Sequence, residues 1–194
     1  MRLEVISIAD FYSNVDEVRK FAMEQEYYED AGHFPGRRTQ PFLNDGVKDL
    51  IQDIIRPLCG DVTWWGGKDS GCFQYTTSAD RSWIHTDGTT SWAGVIYLTP
   101  DAPLSSGTGI FRHKKTGLRG WIHSEYSEEE NLTGGPHTKD QVDYTKWDMV
   151  DRIGNIYNRL ILYRGDLFHV SLDYFGRNIG DGRLFQTFFL NTER

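Results

Sequence analysis

The sequence predicts a mainly β fold, a sandwich or barrel of the jelly-roll kind, supported by helices near its N-terminus. Three observations carry this expectation. From residue 62 onward, short aromatic and β-branched runs recur between turns rich in Gly, Pro and Asp. Two amphipathic patterns at helical spacing precede them. Aromatic residues make up 14% of the chain and glycines number 20 in 194, as in a turn-rich globular protein. A length near the usual ~150 residues per domain predicts one domain over 1–194. In it, 1–61 supplies a strand and helices, and 62–190 forms the core.

The elements follow in order. Leu3–Ile8 alternates and reads as an opening strand. Asn14, three residues before Glu17, marks a helix start of the capping-box kind, with Val15, Val18, Phe21 and Ala22 at helical spacing. A second helix is expected over about 45–58, with Val47, Leu50, Ile51, Ile54, Ile55 and Leu58 on one face and Gly60 as a stop. Strands are then expected at Val62–Trp65, Gly71–Thr77, Trp83–Thr86, Trp92–Thr99, Gly109–His113, Arg159–Tyr163, Phe168–Leu172 and Arg183–Leu190. The polar stretch of about 114–136, with three consecutive glutamates, reads as a long loop, either solvated or a functional lid.

Charge and cysteine usage exclude several classes. A formal net charge of −7 argues against general electrostatic binding of nucleic acid, although Arg112, His113, Lys114 and Lys115 form one basic stretch. Cys59 and Cys72 make no disulfide framework and no zinc-thiolate pair, which suits a reducing compartment. No apolar run approaches the ~18 residues of a membrane helix, and the N-terminus has no signal-like apolar region. A cytoplasmic location is the expectation.

The chemistry rests on histidines. His85-Thr86-Asp87 is an H-x-D, whose side chains share one face of a strand end, so imidazole and carboxylate can hold one cation. With six histidines and 18 aspartates, roughly half an H-x-D arises by chance, so the pair means little alone. Its setting distinguishes it: a strand-like Gln74-Tyr75-Thr76 precedes it and the apolar run Trp92–Leu98 follows. His123-Ser124-Glu125, by contrast, leads into the acidic loop and reads as a surface pair; His113 and His137 are also read as loop residues. His169 follows an apolar strand and a Gly-Asp turn, as either a second metal ligand or a satisfied core histidine. Arg183 heads an otherwise apolar strand, where burial requires an anionic partner: a dicarboxylate ligand, or a structural carboxylate such as Asp166 or Asp181.

In this order of H-x-D, the Gly-Thr-Gly-Ile-Phe turn and strand at 107–111, a distal His and an Arg-headed last strand, the sequence resembles the Fe(II)/2-oxoglutarate-dependent oxygenases, near their prolyl-hydroxylase-like branch. Gly109–Lys114 and Asn158-Arg159-Leu160 look more narrowly like a group of small bacterial and phage proteins without assigned substrates. The resemblance implies a double-stranded β-helix (cupin-like) fold. It also implies iron held by His85, Asp87 and His169, and 2-oxoglutarate held by Arg183 with help from Tyr75 or Thr187. The fourteen residues from His169 to Arg183 exceed the family's common spacing; 173–182 would absorb them as a longer hairpin, in which Arg177 is the alternative anchor. The implied activity uses O2 and releases succinate and CO2. Asp87 favours hydroxylation, or a related oxidation such as demethylation, over halogenation, since family halogenases tend to lack this carboxylate. The substrate is expected to be a small molecule or a peptide. The competing expectation is a non-catalytic cupin-like module that binds a metal or ligand.

Overall fold

A computed structural model describes residues 2–29, 34–88, 90–120 and 139–193. Its elements are β1 (Val5–Ile8), α1 (Val15–Met23), β2 (Arg37–Pro41), α2 (Asp45–Cys59), β3 (Val62–Trp65), β4 (Cys72–Thr76), β5 (Trp92–Tyr97), β6 (Thr108–His113), β7 (Trp147–Ile153), β8 (Leu160–Arg164), β9 (His169–Ser171) and β10 (Arg183–Thr192). The strands form two antiparallel sheets. The larger runs β1-β8-β5-β10-β4-β2, with β3 also paired to β10; the smaller runs β7-β6-β9. This mainly β arrangement is consistent with a jelly roll.

The apolar residues of the central strands divide between two faces by the strand period of two. Trp92 and Ile96 of β5, Leu160 and Leu162 of β8, and Leu184 and Phe188 of β10 share a cluster with Ala22 of α1 and Ile51, Ile55 and Cys59 of α2. The alternate residues Ala93, Val95, Tyr97, Ile161, Tyr163 and Phe185 meet Ile110 of the smaller sheet. With both faces covered, these strands read as continuous apolar runs. A third cluster, including Ile84, Phe111, Trp147, Phe168 and Val170, packs on the smaller sheet.

Several elements differ from expectation. β2 and β7 carry too many charged residues to show apolar alternation; β2 is an edge strand paired to β4, and β7 lies mostly exposed at the edge of the smaller sheet. Trp83–Thr86 is no strand: His85 makes a single antiparallel bridge to His169. On α2, Asn44 caps the start by accepting from the Val47 N–H, and Gly60 (φ 81°) ends the helix. Leu50 and Leu58, expected on its buried face, are instead 47% and 52% exposed, while Ile51, Ile55 and Cys59 are buried. The Asn14 side chain does not cap α1; it donates to Glu17 Oε2 at 3.0 Å. His113 is a buried strand end, not a loop residue: Nε2 lies 3.2 Å from Asp140 and the ring packs at a tilt against Trp147. His123, His137, Trp121 and most of the 114–136 loop lie outside the described residues. No described helix is long and apolar enough to cross a membrane.

Candidate metal centre and reaction cavity

His85, Asp87 and His169 converge from three local structures. His85 and His169 exchange backbone hydrogen bonds, N to O at 3.0 and 2.9 Å, which sets the two imidazoles side by side with centroids 4.4 Å apart. Asp87 is placed by its own N–H, which donates to the Gly165 carbonyl at 2.7 Å in the turn between β8 and β9. Gly165 suits that turn because a Cβ there would lie 2.3 Å from the Thr90 carbonyl oxygen. The three ligand atoms lie within 4.8 Å of one another; Nε2 of His85 and His169 stand 3.8 and 3.3 Å from the Asp87 carboxylate.

Each imidazole is oriented by its other nitrogen. Nδ1 of His85 lies 2.8 Å from the Trp83 carbonyl, and Nδ1 of His169 lies 2.9 Å from the Leu167 carbonyl. A carbonyl only accepts, so each Nδ1 carries the proton and each Nε2 turns toward Asp87. Electrostatics bind the three together. Burial depresses the His85 pKa, and the neighbouring His169 adds to the effect. Burial opposes ionisation of Asp87, yet His169, then His85 and Arg38, outweigh it and hold the carboxyl below its ordinary range. Burial likewise works against charged His169, but Asp87 outweighs it and raises the pKa. The carboxylate thus stays ionised beside two imidazoles, a donor set suited to a borderline divalent metal with positions left open.

The cluster lies in a cavity of about 720 Å³, walled by residues of both sheets including Gln74, Val95, Thr108, Tyr163, Phe185 and Thr187. Arg183 is fully buried at the head of β10, two residues from the cavity-lining Phe185 and on the same face. Its guanidinium lies over the Phe185 and Tyr97 rings, 4.2 and 5.3 Å from their centroids, and Nε donates to the Ser106 carbonyl at 3.0 Å. Nη1 and Nη2 have no hydrogen-bond partner among the described residues. Asp166 pairs instead with Arg2, and Asp181 with Arg177, so neither carboxylate answers Arg183. Arg177 is largely exposed and does not line the cavity.

Tyr75 is not brought to this place. The pleat of β4 turns Gln74 to the cavity wall and Tyr75 to the opposite, α1-side cluster, where it meets Tyr27 and accepts from Arg37 Nη1 at 2.9 Å. Thr187 does line the cavity, with its hydroxyl donating to the Asp69 carbonyl at 2.9 Å. Of the tryptophans, Trp83 and Trp64 line the cavity, whereas Trp92 is core. Arg38, Asp69 and Tyr163 also reach the cavity, and no spacing in the sequence singles them out: each is joined to the site only by pairing between distant strands and turns.

The fold occurs in proteins of little sequence similarity. HygX from Streptomyces hygroscopicus, crystallised with nickel, 2-oxoglutarate and hygromycin B bound, superposes with a TM-score of 0.62 at 10% identity, over 98% of this chain and 83% of that one. A prolyl hydroxylase from Trichoplax adhaerens, in complex with a hypoxia-inducible-factor peptide fragment, gives 0.57 at 12%, over 98% and 84%. A prolyl-4-hydroxylase from Pseudomonas putida gives 0.52 at 15%, over 98% and 94%. The fold that the family resemblance implies is the fold of these proteins. No curated protein sequence matches the chain. Residues 1–190 match the model of a family of unknown function, DUF6445, and the chain belongs to that family.

Proposed function

We propose that this protein is an Fe(II)- and 2-oxoglutarate-dependent oxygenase that hydroxylates an organic substrate, releasing succinate and CO2. The observation that carries the proposal is a single arrangement. Two histidines with Nδ1 tied to backbone carbonyls face an ionised aspartate in a cavity lined by Phe185, against whose ring lies a buried arginine with two unsatisfied nitrogens. The donor set fits iron, and the unsatisfied guanidinium fits the distal carboxylate of a dicarboxylate.

In this reading His85, Asp87 and His169 hold the metal on one face. The Trp83 and Leu167 carbonyls keep both rings in the tautomer whose Nε2 can ligate. Arg183 fixes the C5 carboxylate of 2-oxoglutarate through Nη1 and Nη2, while the Ser106 carbonyl and the rings of Tyr97 and Phe185 hold the guanidinium in plane. Thr187 and Val95 contribute wall. The bound iron and cosubstrate supply the oxidative decarboxylation and the oxidation of a substrate C–H bond, and the protein supplies orientation and exclusion of water.

The test is anaerobic titration of the metal-free protein with Fe(II) and then 2-oxoglutarate, following the weak visible charge-transfer band at about 500–550 nm. The band is expected in the wild type, absent in His85→Ala and weakened in Arg183→Ala. A folded protein that binds iron tightly yet gives no band with 2-oxoglutarate would be a cupin-like binding module instead.

A further inference from the structure

The cavity has a second buried cation that the proposed reaction leaves unused. Arg38 of β2 is 8% exposed and lines the same cavity as the metal-ligand cluster. Its Nε and Nη2 both donate to Gln74 Oε1, at 3.0 and 2.7 Å, and Nη1 donates to Asp69 Oδ1 at 3.1 Å. The guanidinium carbon lies over the Phe34 ring, 4.0 Å from its centroid. Gln74 thus clamps one edge of the guanidinium and Phe34 one face, and the three bonds use three of its five N–H donors.

The charge around Arg38 is unbalanced. Gln74 is neutral, and Asp69, the one carboxylate among the described residues that bonds Arg38, is half-exposed. Lys68 lines the same cavity, so among the described lining residues outside the metal-ligand cluster Arg38 and Lys68 against Asp69 leave one positive charge. Trp64 and Trp83 supply flat apolar surface in the same cavity, whose size is that of a small-molecule site.

We propose that Arg38 is a substrate-recognition residue: it takes the carboxylate of a small organic acid whose apolar or ring-bearing body lies against Phe34, Trp64 and Trp83. A preset planar guanidinium with donors to spare matches a carboxylate better than a neutral group. The inference rests on the oxygenase reading and names the class of substrate it takes. It makes Arg38 distinct from Arg183, which holds the cosubstrate.

The experiment uses the anaerobic protein saturated with Fe(II) and 2-oxoglutarate, titrated calorimetrically with phenylacetate and with its neutral isostere phenylacetamide. Phenylacetate is expected to bind at least about tenfold more tightly. Arg38→Gln is expected to abolish that preference and to keep the 500–550 nm band. Asp69→Asn, which removes the competing carboxylate, is expected to tighten phenylacetate binding and leave phenylacetamide unchanged. The proposal is overturned by equal affinities, by binding of neither compound, by a preference that survives in Arg38→Gln, or by indifference to Asp69→Asn. The band separates the two failures. Its loss from the wild type would overturn the oxygenase reading; its presence without the preference would overturn the role of Arg38 alone.

Discussion

Arg183 is held in the interior by one hydrogen bond to a backbone carbonyl and two aromatic faces, with its terminal nitrogens unsatisfied by any described residue. A buried guanidinium without an anion destabilises a fold, and an apolar side chain of similar length commonly restores stability. In the absence of 2-oxoglutarate, Arg183→Met is therefore expected to raise the thermal midpoint, by the equivalent of about 1–3 kcal/mol. The Ser106 carbonyl retains a weak alternative donor in Asn155 Nδ2 at 3.5 Å, which limits the loss on that side. The same variant is expected to lose 2-oxoglutarate binding by the iron-loaded protein. Paired thermal melts and cosubstrate titrations check both; a lower midpoint without ligand would show that Arg183 braces the fold. At this scale the sequence exposed the residues whose chemistry is unusual for their setting: His85 and Asp87 at H-x-D spacing, and an arginine leading an apolar strand. Tyr75 was misplaced because its distance of ten residues from His85 says nothing about which side of the β4 pleat it occupies.

The helix α2 shows how much of an element's orientation depends on its neighbours. Its apolar stripe is broad enough to place Leu50 and Leu58 with Ile51 and Ile55, but only the latter two are fully buried. Ile51→Ala is expected to cost about 2–4 kcal/mol, and Leu50→Ala no more than about 0.5 kcal/mol, measured by urea denaturation. Similar losses at both positions would mean that the helix packs through a different face. The central strands β5, β8 and β10 were legible because burial on both faces leaves a long apolar signal. β2 and β7 were not: their charged side chains find partners or solvent at sheet edges, so neither carries a period of two in hydrophobicity. The H-x-D segment sits on a single bridge, because pairing with β9 extends only to His85.

Across the whole molecule, alkaline stability should depend on a buried thiol that the proposed reaction does not use. Burial pushes the Cys72 thiol up to about 11 from an ordinary value of 9.0. The unfolded chain then loses this proton first. The stabilisation is complete below about pH 9 and is lost as pH rises through about 11. The urea midpoint of the wild type is expected to fall across that window, and Cys72→Ala to reduce the slope; equal slopes would mean that the thiol does not contribute. The net charge of −7 does not describe the cavity, where Arg38 and Lys68 stand with Asp69 and Asp87 and Arg183 is buried behind the lining Phe185. Net charge sums every ionisable group of the chain, whereas a binding site depends on which few charges are enclosed together.

By itself the sequence determined the mainly β class of fold, the central strands, the pairing of His85 with Asp87 and the peculiarity of Arg183, whereas His169 joined that pair through the family resemblance. The first four follow from local rules: strand period, turn residues, ligand type at short spacing, and the cost of a charge in an apolar run. Only the tertiary structure decided that Arg38 shares the cavity of the metal-ligand cluster, that Tyr75 faces away from it, and that Asp166 and Asp181 are paired elsewhere. Each of these depends on the register between segments tens of residues apart. A shift of one residue exchanges the two faces of a strand, and no local pattern in the chain records that choice.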